Sequence, residues 1–216
     1  PHDSPLEYLG VPRLLMALFS WMIALYMIPG LWGAPLKYLS GYLPPLTSQQ
    51  FKVGGSITMS DDAGYALDES VKYADLLEIP HGIKGYFDYD QALRAAKAAG
   101  KPLLIDFTGH GCVNCRKMEE QVWSNPEVFR LLRDDYILVS LYVDDRTRLP
   151  QADQFTFEYP SGRQKRIETI GDYWSTFQNQ NFGAVSQPYY VLLSPQLEIL
   201  APPVQNTDVG TYRSWL

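Results

Sequence analysis

The sequence predicts an α/β domain, a central mixed sheet flanked by helices, carried behind one membrane-crossing helix and a linker. Three features predict it. Residues 14–36, LLMALFSWMIALYMIPGLWGAPL, form a run of 23 residues without a charge. From about Ile83 onward, short apolar runs alternate with segments of helical spacing, the pattern of a sheet covered by helices. Near the end, PYYVLLS and LEILAPP read as two strands joined by Pro195-Gln196, an antiparallel hairpin by length.

The elements follow in order. A helix over 14–36 would be about 34 Å long, slightly more than the roughly 30 Å hydrocarbon thickness of a bilayer, and Pro29-Gly30 would end or kink it early, a pair that transmembrane helices tolerate. Arg13 and Lys37 bracket it, and Trp32, Tyr38 and Tyr42 fall where an interfacial aromatic belt would lie. A buried core helix and a signal peptide pass the same test of apolarity. One basic residue at each end leaves the orientation open. Residues 37–82 are rich in proline, glycine and polar side chains and read as a linker, with 69–77 able to form a short helix. DYDQALRAAKAAG (88–100) is a capped helix ended by glycine, and PLLIDFTG (102–109) is a buried strand. A helix continues through RKMEEQV. Ser124-Asn125-Pro126-Glu127 caps the next helix, to about Arg133, and YILVSLYVDD (136–145) is the next strand. Residues 146–169 are polar and read as a hairpin-type insertion. IGDYWSTFQNQNFG (170–183) is helical, and a further helix starts near the end of the chain. Both ends of the sequence are expected to be those of a segment of something longer.

The formal net charge is −6, and there is no long run of lysine and arginine. A nucleic-acid footprint is therefore absent. The two cysteines stand in GHGCVNCRK, 109–117. They leave three readings: a structural staple, part of a zinc site, or a redox pair. Two cysteines are too few for a disulfide framework, and a chain of this length does not need one. His110, Cys112 and Cys115 offer three ligands where structural zinc needs four, and no second C-x-x-C or C-x-x-H occurs, so no metal is expected.

A C-x-x-C directly after a strand and opening a helix has a redox purpose. Cys112 at the helix N-terminus meets free amide N–H groups that favour its thiolate, which makes it the nucleophile. Cys115, less than one turn on, is placed to resolve the mixed disulfide. Gly109 and Gly111 leave room for a partner backbone beside His110, a loop residue that either touches partners or has no specific role. Asp106 lies on the preceding strand in an apolar run; burial there should raise its pKa and make it a proton shuttle for Cys115. Otherwise it is a strand-end carboxylate bound to backbone or water. Glu119, one turn beyond Cys115, either tunes the pair or belongs to a solvated helix face. Arg116 and Lys117 either help the thiolate or are exposed helix charges, the more usual role.

These pieces together resemble the thioredoxin superfamily: Asp106 six residues before Cys112, the C-x-x-C at a helix start, and a proline opening the hairpin at Gln187-Pro188. The resemblance implies a thioredoxin-like fold, a cis bond before Pro188 facing the cysteines, and a substrate contact at Gln187. Gly111 and Val113-Asn114 depart from the usual Trp and Gly-Pro of thioredoxins. The span from about Leu9 onward, with GYLPP and KPLLIDFTGHGCVNCRKME, is similar to the C-terminal part of the DsbD-type thiol:disulfide interchange family. That family implies a periplasmic domain on a bacterial inner membrane, with no tight cofactor. Its electron donor would be the upstream membrane domain of the same protein, and oxidised periplasmic proteins its acceptors. It also matches Asp106 and Glu119 to acidic residues that modulate the cysteines. Two other readings stand beside it: a single-span thioredoxin-like protein for cytochrome c maturation, and a non-redox binding module with a locked disulfide. Arg146, Arg148, Arg163, Lys165 and Arg166 in the insertion read as a solvated loop or a docking face for an acidic partner.

Overall fold

A computed structural model describes residues 10–32 and 70–216. The first stretch is a helix, α1 (Val11–Met27), that passes into a 3-10 turn over Ile28–Trp32. Pro12 fits the first turn, where no intrahelical donor is needed. Pro29 has no N–H to donate to the carbonyl four residues back, and the α-helix gives way to the 3-10 turn at Pro29-Gly30, where the sequence predicts an early end or kink, short of the run to Leu36. Val11–Gly30 is long and apolar enough to cross a membrane, and none of it is buried. Residues 33–36 and the expected linker over 37–69 lie outside the described residues.

The packed unit begins before Ile83, inside the stretch read as linker. Leu77 and Ile79 are buried in the core, and Val71 and Tyr73 pack against it. Residues 72–76 form turns, with Leu76 and Leu77 N–H groups both donating to the Tyr73 carbonyl, rather than the short helix. A loosely patterned sequence hid this contribution because its apolar residues reach distant elements rather than one another.

Four strands make the main sheet: β1 (Leu103–Thr108), β2 (Ile137–Tyr142), β5 (Tyr189–Leu193) and β6 (Ile199–Val204), in the order β2-β1-β5-β6. β1 and β2 are parallel, β1 and β5 antiparallel, and β5 and β6 antiparallel. The sheet is mixed, as predicted. Tyr86 extends it beyond β2, donating to Leu138 and accepting from Ser140. The insertion is a separate hairpin, β3 (Phe155–Glu158) with β4 (Gln164–Ile167).

Alternation along β1 sorts its side chains between two cores. Leu103, Ile105 and Phe107 meet Ala92, Ala95 and Ala96 of α2 (Tyr89–Ala99) and Trp174 of α5 (Ile170–Phe182). Asp88 caps α2, accepting from the Gln91 N–H, and Gly100 ends it at φ 64°. Leu104 points the other way, with Met118, Val122 and Trp123, Val128 and Leu132 of α4 (Pro126–Asp134), and Tyr212 of α6 (Val209–Trp215). Asp106 shares that second face. Two layers of helices thus cover one sheet, and the cysteine helix lies over Asp106.

The helix after the cysteines changes pitch. It is α3 over Val113–Met118 and widens to a π turn over Glu119–Trp123, where an uninterrupted helix was expected. The wide turn accompanies three inward residues in five, Glu119, Val122 and Trp123.

Gly171, in the first turn of α5, approaches backbone so closely that a Cβ there would meet the Asp145 carbonyl at 2.6 Å and its nitrogen at 2.7 Å. Neither atom is the end of a flexible side chain. Gly171→Ala is expected to cost about 1–3 kcal/mol, the usual range for overpacking. Denaturant unfolding of wild type and variant in parallel reads it, and equal midpoints would contradict the close approach.

Candidate active site

The loop from Thr108 to Cys112 leaves the C-terminal end of β1 and enters α3. Cys112 is the N-cap, its Sγ accepting from the Cys115 N–H at 3.1 Å, and its own N–H bonds the Gly109 carbonyl. Cys112 and Cys115 are joined as a disulfide, with Cα atoms 5.2 Å apart. Their exposures differ. Cys112 is half-buried, whereas Cys115 is 1% exposed under the helix. An incoming sulfur can therefore reach Cys112 but not Cys115.

Gln187-Pro188 is a cis peptide, and Pro188 is buried. Phe107 pairs with Tyr189, so the chain before β5 passes beside the loop after β1. A Cβ on Gly109 would lie 2.7 Å from the Gln187 side-chain oxygen and 2.8 Å from an Asp144 carboxylate oxygen. The predicted site residues His110, Gly111, Cys112, Cys115, Gln187 and Pro188 thus gather at one pole of the sheet.

Asp106 and Glu119 lie beneath them. Asp106 sits mid-strand between Ser140 of β2 and Tyr190 of β5. Its Oδ2 accepts from the Ser140 hydroxyl at 3.0 Å, while Oδ1 is buried without a partner. Burial pushes its pKa up to about 7, against the pull of Ser140 and Arg116. Glu119 is buried as well, and not on a solvated face. Burial raises its pKa to about 8, with Asp106 and Glu120 adding to the rise and Arg116 opposing it.

Arg116 departs most from the sequence reading. It is 6% exposed rather than a surface charge. Its Nη2 lies 2.6 Å from Glu119 Oε1 and reaches the Thr108 hydroxyl and the Gly109 carbonyl at 3.4 and 3.5 Å. It ties the helix to the loop that precedes it. The sign that marks it is its neighbour: the residue after a buried Cys115 turns toward the same interior.

Two further acids were missed. Asp144 accepts from the backbone N–H groups of His110 and Gly111 at 2.8 and 2.9 Å. Asp145 Oδ2 lies 2.8 Å from His110 Nε2. His110 also stacks on Tyr142, with ring centroids 4.6 Å apart. The signal available was VDDR, an acidic pair closing a strand parallel to the one that ends at the cysteines. Such strands end at the same pole.

His81, assigned to the linker, lies 2.6 Å by its Nε2 from the Glu119 carbonyl oxygen and so donates to it. In the insertion, Lys165 pairs with Asp172 and Arg166 with Glu168. Arg163 stacks over Tyr159 at 4.5 Å. Three of the five basic residues are thus engaged within the chain.

Residues 84–164 match a family model described as thioredoxin-like. Thiol:disulfide interchange protein DsbD of Ralstonia nicotianae is 30% identical over 98 residues, which are 41% of this chain and 16% of that protein. DsbD 2 of Pseudomonas aeruginosa is 34% identical over 92 residues, 38% of this chain and 16% of that one. The packed unit has a thioredoxin-like fold, and its sequence is similar to these thiol:disulfide interchange proteins. The chain spans about one sixth of the length of these relatives. Among solved structures, DsbH oxidoreductase superposes with a TM-score of 0.44 at 17% identity, over 64% of this chain and 86% of that one. A C-x-x-C pair at bonding distance gives the thioredoxin-like domain thiol–disulfide redox chemistry. The described residues contain no cluster of three or more His, Cys, Asp or Glu side chains able to hold a metal ion.

Proposed function

We propose that the chain is part of a membrane-tethered dithiol–disulfide reductase, which takes electrons from a membrane domain of the same protein and passes them to oxidised periplasmic proteins. The observation that carries it is the unequal exposure of the two bonded cysteines, with Cys112 accessible at a helix start and Cys115 buried behind it. The names of the matched relatives support the interchange chemistry, and the Val11–Gly30 helix supports the tether.

In the reduced domain, the Cys112 thiolate attacks one sulfur of a partner disulfide. A mixed disulfide forms, and the partner's other sulfur leaves as a thiolate that takes up a proton. Asp106, ionised, accepts the proton of Cys115. The Cys115 thiolate then attacks Cys112 Sγ, and the partner's second sulfur departs. Two electrons have moved: the partner holds two thiols and the domain a disulfide. A dithiol upstream, oxidised in turn, restores the pair. Gln187, next to Gly109, offers the backbone edge along which a partner strand would lie. Glu119 shares the buried charge balance with Asp106 and Arg116, the first raising its pKa and the second lowering it against burial.

Cys115→Ala in the membrane-bound protein tests this. The variant is expected to accumulate mixed disulfides with periplasmic proteins through Cys112, visible as thiol-sensitive high-mass bands. Cys112→Ser combined with it should remove them. A Cys115→Ala protein that traps no partner under oxidising conditions would contradict the relay.

A further inference from the structure

Asp144 and Asp145 take no part in the steps above, yet both are spent on the cysteine loop. β1 and β2 run parallel, so the chain leaving β2 passes beside the residues that lead to Cys112. Asp144 uses both carboxylate oxygens there, Oδ1 accepting from the His110 N–H and Oδ2 from the Gly111 N–H. Asp145 holds the His110 ring from one side while Tyr142 lies against it. Asp145 is itself fixed: its Oδ1 accepts from the Thr147 N–H at 2.8 Å, and its carbonyl accepts from the Gly171 N–H at 3.0 Å. On its other side Asp144 crowds Gly109 together with the Gln187 amide. One carboxylate therefore lies between the loop that presents Cys112 and the segment that opens β5.

We propose that Asp144 is a positioning residue of the redox pair: it clamps the two peptide N–H groups that precede Cys112 and holds one negative charge on the loop that leads into the attacking sulfur, with Asp145 holding the same loop through His110. The proposal rests on the reading of Cys112 as the attacking thiol. Each effect has a physical reason. Gly109 and Gly111 flank His110, and glycine loses more conformational freedom on ordering than any other residue, so the loop needs an external hold. Charge-assisted bonds from a carboxylate to two adjacent N–H groups supply it. The charge acts separately. An anion held on that loop opposes the Cys112 thiolate and so makes the dithiol a stronger reductant. Other titratable and charged groups near the pair are His110 on the same loop, Asp145 on the β2 side, Lys117 on α3, and the buried Arg116, Asp106 and Glu119 beneath. Of these, Arg116 is turned inward to Glu119 and the Gly109 carbonyl.

Asp144→Asn keeps the size of the side chain and removes the charge. Its thiol–disulfide equilibrium with glutathione is expected to move about threefold to fivefold toward the reduced domain, the size of one charge removed at an exposed site. The pH midpoint for alkylation of Cys112 should fall with it. Asp144→Glu restores the charge and should return the equilibrium to within about twofold of wild type. Asp144→Ala removes the clamp as well, and in the oxidised protein the amide protons of His110 and Gly111 should exchange with solvent at least about tenfold faster than in wild type. An unchanged equilibrium in Asp144→Asn, or unchanged amide exchange in Asp144→Ala, overturns the proposal. A wild-type pair that never equilibrates with glutathione strikes the reductase reading instead, and amide exchange in the oxidised protein still decides the clamp.

Discussion

Asp106→Asn is expected to slow disulfide reduction by roughly 100-fold near pH 7, the low end of what a positioned general base contributes. Asparagine matches aspartate in shape and can still accept from Ser140, so a partner's affinity should change little. The loss falls on proton removal from Cys115, which is buried and reaches solvent poorly. With its pKa pushed up to about 7 by burial, Asp106 becomes competent as a base as the pH passes through neutrality. The wild-type rate should therefore climb through pH 7. Toward pH 9 the cysteine ionises more readily unaided, and the gap between variant and wild type should narrow. Equal rates for the two proteins from pH 6 to 9 would remove Asp106 from the mechanism. Stability should move the opposite way. The folded pKa lies above the ordinary value of 3.8, so the protonated carboxyl stabilises the fold fully below about pH 4, and that contribution is lost as pH rises through about 7. Asp106→Asn escapes the loss and should be more stable than wild type at pH 9 by at least about 1 kcal/mol.

Arg116→Leu should produce the largest loss of stability, about 3–5 kcal/mol at pH 9, the cost of leaving a buried charge without its partner. The guanidinium faces Glu119 at 2.6 Å and lowers the pKa of both Glu119 and Asp106 against burial. Without it both folded pKa values rise further, so more stability is lost as pH climbs through and beyond 8. At pH 5 the two carboxyls are protonated in either protein, and the penalty should shrink to the lost bonds to Thr108 and Gly109. Urea unfolding at pH 5 and pH 9 separates these contributions. A penalty equal at both pH values would show that Arg116 acts by packing alone.

What the sequence revealed of this molecule was local. The C-x-x-C, the strand before it and the helix after it lie within twenty residues, and Asp106 could be placed by counting along one strand. Pro188 was legible because a proline opening a strand is uncommon and its position matched a known pattern. The missing pieces all depend on contacts between distant segments. Arg116 could not be distinguished from Lys117 until α3 was laid on the sheet. Asp144 and Asp145 belong to the site only because β2 runs parallel to β1, a pairing that brings residues 33 to 35 positions away onto the loop. Leu77 and Ile79 were hidden for the same reason, in a stretch whose composition resembles a linker but whose apolar residues fill the face under α3 and α4. The π turn at Glu119–Trp123 has no sequence mark that a helix would lack.

The measurement that bears most directly on the account is a redox titration of the full chain in glutathione buffers, with the Cys112–Cys115 pair followed by thiol labelling. A working couple is predicted to pass reversibly between disulfide and dithiol across the range those buffers span. A pair that stays oxidised in all of them, as structural bridges with potentials below about −300 mV do, would contradict the redox role.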